Sequence, residues 1–256
     1  GSTALIDELD QHPDIVCHQE LFRPDPLAPP ESVDLASEKV PTFEAVTHEG
    51  RTLSAQDYLQ EVAAASSGKL VGFKTLMFHL ELREEARLES YIFGSAMPIV
   101  FLTRDPVRAA LSAAIAKERK HFSFRVDEEE KDHLKRRVRL DPAFVSDEAR
   151  YYSYWSENWQ TKLRELNAPH LVVSYEQYMK DRLGLMNLIF RFLKVRELSS
   201  LPPNNYSKVT SEDVWDDIIN QREVRRAIAN TELNPKHPRT RMRRYLDRAL
   251  AAVGHS

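Results

Sequence analysis

One cysteine, almost no net charge and no long apolar run exclude several classes of protein before any motif is considered. Cys17 is the single cysteine in 256 residues, so no intramolecular disulfide framework can form. A reducing compartment fits that count. The formal net charge is -3, which gives no global basic field for DNA, RNA or an anionic membrane. Local basic clusters for a small anion remain open. No stretch approaches the roughly 18 consecutive apolar residues of a membrane span. No signal-peptide pattern opens the sequence, and Gly1 need not be the natural start, since Gly-Ser is also what a cloning scar leaves.

What is present is a chain that is 42% hydrophobic and 29% charged, enough for one sizeable core, or a core plus an insertion. Leu5 and Leu9 share a face of a short helix over 4–11, which His12-Pro13 stops. Ile15-Val16-Cys17 reads as a brief strand. Residues 24–50 carry Pro, Asp and Glu without periodicity and read as an excursion. Ser54, with Asp57 three residues on, caps a helix to about Ser66. Leu70 to Phe73 and Leu171 to Ser174 read as buried strands, and 83–93 as a helix. Pro98 to Thr103 is the clearest strand, a continuous apolar run suited to a parallel sheet covered on both faces. Asp105-Pro106 then starts a helix to about Lys120, with Asp as N-cap and Pro in the first turn.

The densely charged residues 121–146 read as a solvated helix or lid. Residues 147–167 form an aromatic-rich helix containing Tyr151, Tyr154, Trp155 and Trp159, a spacing that suits core packing. Helices are expected over 182–195, 212–230 and 239–252. Strands alternating with helices imply an α/β fold with a parallel sheet and helices on both faces. Such sheets bind ligands at the carboxyl ends of their strands.

Two constellations suit anion chemistry. Gly1-Ser2-Thr3 leads into the first helix, whose N-terminal N–H groups and dipole favour a phosphate. A Walker loop would carry Lys where Ser2 stands, so an ATP-hydrolysing loop is disfavoured. In the second, a buried strand delivers Arg104, a capped helix begins, and Ser112 lies two turns along it. A guanidinium offers a planar fork to phosphate oxygens and a hydroxyl adds one donor.

With these residues in order, the chain resembles the sulfotransferases that use 3′-phosphoadenosine 5′-phosphosulfate (PAPS). Gly1-Ser2-Thr3 matches the tail of that family's 5′-phosphosulfate loop. Arg104 and Ser112 match its 3′-phosphate element at the right spacing. His12-Pro13-Asp14-Ile15, Glu20-Leu21-Phe22, Val71-Gly72-Phe73-Lys74, Ser112 to Ala116, Val173-Ser174-Tyr175-Glu176 and Phe192-Leu193 extend the likeness over about 1–230. It is nearest the bacterial and carbohydrate branch that includes the trehalose and nodulation-factor enzymes. The resemblance implies one three-layer, P-loop-NTPase-like domain over 1–256, with acceptor-side excursions at 24–50 and 121–146. It also implies a central first strand and a basic loop residue, neither of which this sequence contains. Both are expected upstream of Gly1.

The same resemblance implies PAPS as donor, adenosine 3′,5′-bisphosphate as product, and a carbohydrate or glycolipid hydroxyl as acceptor. The excursions bring Phe43, Phe122 and Phe124 toward that acceptor. No metal is formally required, and no metal-ligand spacing occurs among the nine histidines. Glu20 is the expected general base and His18 the alternative, while His12 reads as a helix stop. Lys74, ending a strand, is the expected neutraliser of charge, or a structural lysine paired with Glu20 or Glu176. Lys208 belongs to a late basic loop that reaches the nucleotide. Arg108 and Arg119 read as solvated charges, and Tyr175 and Glu176 as braces beneath the site. The bacterial branch implies the cytoplasm, with the Golgi lumen as alternative, and a homodimer is one of the open oligomeric states. The rival functions are a nucleotide or nucleoside kinase, and a nucleotide- or glycan-binding protein without turnover.

Overall fold

The computed structural model describes residues 2–22, 47–48, 51–52, 54–66, 68–76, 88–120, 124–125, 136–207 and 210–233. In chain order its elements are α1 (Ser2–Asp10), β1 (Ile15–His18), β2 (Thr47–His48), β3 (Arg51–Thr52), α2 (Ala55–Ala65), β4 (Leu70–Phe73) and α3 (Leu88–Gly94). There follow β5 (Ile99–Thr103), α4 (Pro106–Arg119), β6 (Phe124–Arg125), α5 (Pro142–Glu165), β7 (His170–Ser174), α6 (Tyr175–Lys180) and α7 (Arg182–Phe192). The last are β8 (Tyr206–Ser207), a 3-10 turn at Val214–Asp217, and α8 (Gln221–Ala229).

Two parallel strand pairs form the middle layer. β1 runs beside β4, with His18 opposite Phe73, and β5 runs beside β7, with Thr103 opposite Ser174. Side chains alternate across each strand, and the cores follow that alternation. Val71, Phe73, Ile99 and Phe101 pack on a cluster of Leu21, Phe22, Tyr58, Val62, Ile92 and Trp159, supplied largely by α2, α3 and α5. Leu70, Val100, Leu102 and Leu171 pack on the other side, against Leu5, Leu9, Met186, Ile189 and Phe190 from α1 and α7. Both pairs therefore share both cores, which gives the helix–sheet–helix layering expected of a buried parallel sheet. A third cluster joins α4 to α5 and α8 through Leu111, Ile115, Val145, Ala149, Ile218 and Val224. On β1, Cys17 is buried and its amide donates to Asp10 Oδ1 at 2.8 Å. Its thiol lies against Gly72, where an added Cβ would stand 3.1 Å from the sulfur.

Local chemistry explains the helix boundaries. Ser54 accepts from the Asp57 amide at the start of α2, and Asp105 from the Arg108 amide at the start of α4. Only seven glycines serve the chain, and Lys120, Asn167 and Lys194 take the left-handed conformation after α4, α5 and α7 in their place.

Three expectations change. The charged stretch 121–146 is not one solvated unit: Leu140 is buried and α5 already begins at Pro142, capped by Asp141, which accepts from the Ala143 amide at 2.9 Å. Residues 212–230 divide into the 3-10 turn and α8 because the buried Asn220 side chain turns inward, bonding the Leu140 amide and carbonyl at 3.0 and 2.9 Å. Arg119 is not solvated. It is buried at the end of α4 and meets Asp217 at 2.7 Å, while the Ser211 amide also donates to Asp217 at 2.7 Å. Arg108 is exposed, as expected. Most of 24–50, residues 83–87 and the helix expected over 239–252 lie outside the described residues.

Removing one partner of a buried ion pair strands the other in low dielectric. Arg119→Met should therefore lower the unfolding free energy by about 3–5 kcal/mol, measured by urea titration. The double variant Arg119→Met/Asp217→Leu should recover most of that loss. An equal loss in both variants would show that Asp217 is held by its other partners and not by charge.

Candidate active site

The carboxyl ends of β1 and β4 bring three of the expected residues into contact. After β1, the chain turns through Gln19 to Glu20, anchored by the buried Leu21 and Phe22. After β4, the Lys74 amide donates to the His18 and Gln19 carbonyls at 3.1 and 3.2 Å, which sets the lysine beside the turn. Lys74 Nζ lies 2.7 Å from Glu20 Oε1, with only 10% and 22% of the two side chains exposed. The same ammonium stands 3.5 Å from Thr3 Oγ1 in the first turn of α1. An acid, a base and a hydroxyl at a helix start thus occupy one corner. Desolvation there strengthens a charge pair and makes its geometry matter.

His18 is half-buried at the end of β1, and its Nε2 is buried without a hydrogen-bond partner. Burial pushes its pKa below the usual imidazole value, and Asp10 pulls the other way. His12 is buried and structural. Its Nδ1 accepts from the Asp14 amide at 3.1 Å, so Nε2 carries the proton and donates to the Arg196 carbonyl at 3.0 Å.

A second cluster lies at the ends of β5 and β7. Arg104 follows Thr103 directly, and its guanidinium carbon sits 4.6 Å from the centre of the Tyr175 ring, within cation–π range. The Glu176 carboxylate accepts from the Asp105 amide at 3.3 Å. Arg104 Nε is buried and has no hydrogen-bond partner. Burial depresses the Arg104 pKa, against the favourable fields of Tyr175, Glu176 and Tyr152. A guanidinium stays charged in a protein, so this one is desolvated, stacked and left with a donor to give. Ser112 is half-buried on α4, about 9 Å further along the helix at 1.5 Å per residue.

A model described as "Sulfotransferase family" matches residues 1–199. The chain belongs to the sulfotransferase family. No curated protein matches it. Among solved structures, a sulfotransferase from Alicyclobacillus acidocaldarius is similar, at 16% identity over 91% of this chain and 92% of that one, with a TM-score of 0.46.

Of the residues expected to serve a sulfotransferase, the structure brings Glu20, Lys74 and Thr3 together and sets Arg104 and Ser112 on the β5–α4 unit. The sequence left Lys74 open between neutralising charge and pairing structurally with an acid such as Glu20 or Glu176, and the structure shows the pair with Glu20. Tyr175 was read only as a brace. Its ring in fact forms the floor under Arg104, and the signal for this is the strand register, since Thr103 opposite Ser174 makes Arg104 and Tyr175 neighbours. Ser2 is half-buried at the start of α1. Gly1 and Lys208 lie outside the described residues, as do Phe43 and Phe122. No group of three or more His, Cys, Asp or Glu side chains suited to a metal occurs among the described residues, and no described helix is long and apolar enough to cross a membrane.

Proposed function

We propose that the chain transfers a sulfuryl group from PAPS to a hydroxyl of a carbohydrate or glycolipid acceptor. The observation that carries this reading is the Arg104 guanidinium, stacked on Tyr175 with a buried Nε that lacks a partner. A 3′-phosphate oxygen supplies the missing acceptor, and Ser112 adds a hydroxyl donor. The start of α1, with Ser2 and Thr3, takes the 5′-phosphosulfate end, where helix N–H groups favour an anion; Gly1 is assigned to it through its place in the family pattern.

In this reading Glu20 receives the acceptor's hydroxyl proton as its oxygen bonds to sulfur and the bond from sulfur to the departing 5′-phosphate oxygen breaks. Lys74 neutralises charge on the departing oxygen. Their ion pair holds the carboxylate at the corner and the ammonium beside Thr3. His18 is the alternative base. Lys208 is assigned to the nucleotide through its place in the family pattern.

A thermal-shift comparison tests the donor. Adenosine 3′,5′-bisphosphate should stabilise the full-length protein, and ATP with magnesium should not; the reverse result would make a kinase the better reading. Incubation with labelled PAPS and a panel of glycans tests the transfer. Donor binding without transfer to any member of the panel would favour a binding protein.

A further inference from the structure

The two halves of the proposed donor site sit on different elements, α1 and the β5–α4 turn, and one buried carboxylate joins them. Glu8 lies on α1 five residues after Thr3, and none of its side chain is exposed. Its Oε1 accepts from the Tyr178 hydroxyl, from Arg182 Nε at 2.5 Å and from Asn204 Nδ2 at 3.2 Å. Asn204 Nδ2 also donates to the Tyr178 hydroxyl at 3.0 Å, and Arg182 Nη2 to the Pro202 carbonyl at 2.6 Å. Tyr178 is one turn along α6 from Tyr175, and their ring centres are 6.2 Å apart. Tyr175 in turn lies under Arg104. A continuous path therefore runs from Thr3 through α1, Glu8, Tyr178 and Tyr175 to the Arg104 guanidinium.

The apolar face of α1 cannot do this job. Leu5, Ile6 and Leu9 already pack the helix on the core, but such contacts are non-directional and leave a helix free to slide or rotate slightly. A buried ionic hub is a poor source of net stability compared with apolar packing of the same volume. What it adds is direction, because several donors on three other segments converge on one oxygen. We infer that the Tyr178–Glu8 hydrogen bond is a positioning device that fixes the separation between the start of α1 and Arg104, and so gives the site its preference for a nucleotide with phosphates at both the 5′ and 3′ positions. The inference rests on the donor assignment made above.

The test is the ratio of dissociation constants for adenosine 5′-monophosphate and adenosine 3′,5′-bisphosphate, measured by calorimetry on the full-length protein and on Tyr178→Phe. The variant removes one O–H and leaves the ring. The wild type should favour the bisphosphate strongly. In Tyr178→Phe that ratio should fall by about tenfold or more, the scale of a charge-assisted hydrogen bond, with affinity for the monophosphate unchanged. A ratio taken on one folded population cancels any partial unfolding. An unchanged ratio in Tyr178→Phe overturns the positioning role and leaves the donor assignment standing. Equal weakening of both ligands also overturns it, as general loosening. A wild type that does not distinguish the two nucleotides overturns the donor assignment itself, and the inference with it.

Discussion

Replacing Glu20 by Gln is expected to lower the turnover of sulfuryl transfer by about 10²–10⁴-fold, the usual contribution of a positioned general base. The amide keeps the size of the side chain and an oxygen for Lys74 to donate to, so the corner formed with Lys74 and Thr3 should persist. What disappears is the site that takes the acceptor's proton. Donor affinity should be unchanged, which separates this variant from one that damages the phosphate sites. Steady-state kinetics with saturating donor, together with a direct binding measurement, checks both halves of the expectation. If turnover stays normal, Glu20 only holds Lys74, and His18 becomes the base to test. If donor affinity falls instead, the pair belongs to donor binding and not to proton transfer.

Arg104→Ala should weaken binding of adenosine 3′,5′-bisphosphate by about 10²–10³-fold, the loss of two charge-assisted hydrogen bonds to one phosphate. The fold should tolerate the change unusually well. The Arg104 Nε is buried without a partner, a cost that the Tyr175 ring and the Glu176 field offset, so the melting temperature should change little when the side chain is removed. The combination of lost affinity and retained stability is diagnostic, because a strand-end arginine with a structural role would show the opposite. Calorimetric titration and a thermal melt of the same preparation give both values. Retained affinity would place the 3′-phosphate elsewhere.

How much of this was legible in the sequence depends on distance along the chain. Strand runs, the Ser54 and Asp105 caps and the alternation of strand with helix are local signals, and from them follow the order of the main strands and helices and the layered α/β architecture; the two-residue strands and the short helix Tyr175–Lys180 were not among them. The Asp141-Pro142 start of α5 has the same form as Asp105-Pro106, yet it sits behind a charged run whose composition dominates its surroundings. Arg119 shows the limit more sharply. Its partner Asp217 is 98 residues away, and an arginine on a helix carries no mark of which distant carboxylate will bury it.

The site contacts depend on register in the same way. Once His18 is opposite Phe73 and Thr103 is opposite Ser174, Lys74 must fall beside the turn that leads to Glu20, and Arg104 beside Tyr175. The residue types that suit anion chemistry can be read one at a time. Which strands lie side by side is a property of the packed sheet, set by how the two apolar faces of each strand are covered. The Glu8 hub is further still from sequence reading, since it gathers residues from α1, α6, α7 and the segment around Asn204.

Cys17 gives the chain an internal chemical gauge. Its thiol is buried against Gly72, and burial, with help from Asp10, pushes its pKa up to about 12. At neutral pH there is almost no thiolate for an alkylating reagent to meet while β1 lies against β4. Because the chain has no second cysteine, each modification event counts one uncovering of the thiol from the core it shares with Leu5, Leu9 and Met186, at the residue next to His18. The rate of labelling then becomes a clock for local opening at the site, one that runs without any added probe and can be read with and without nucleotide.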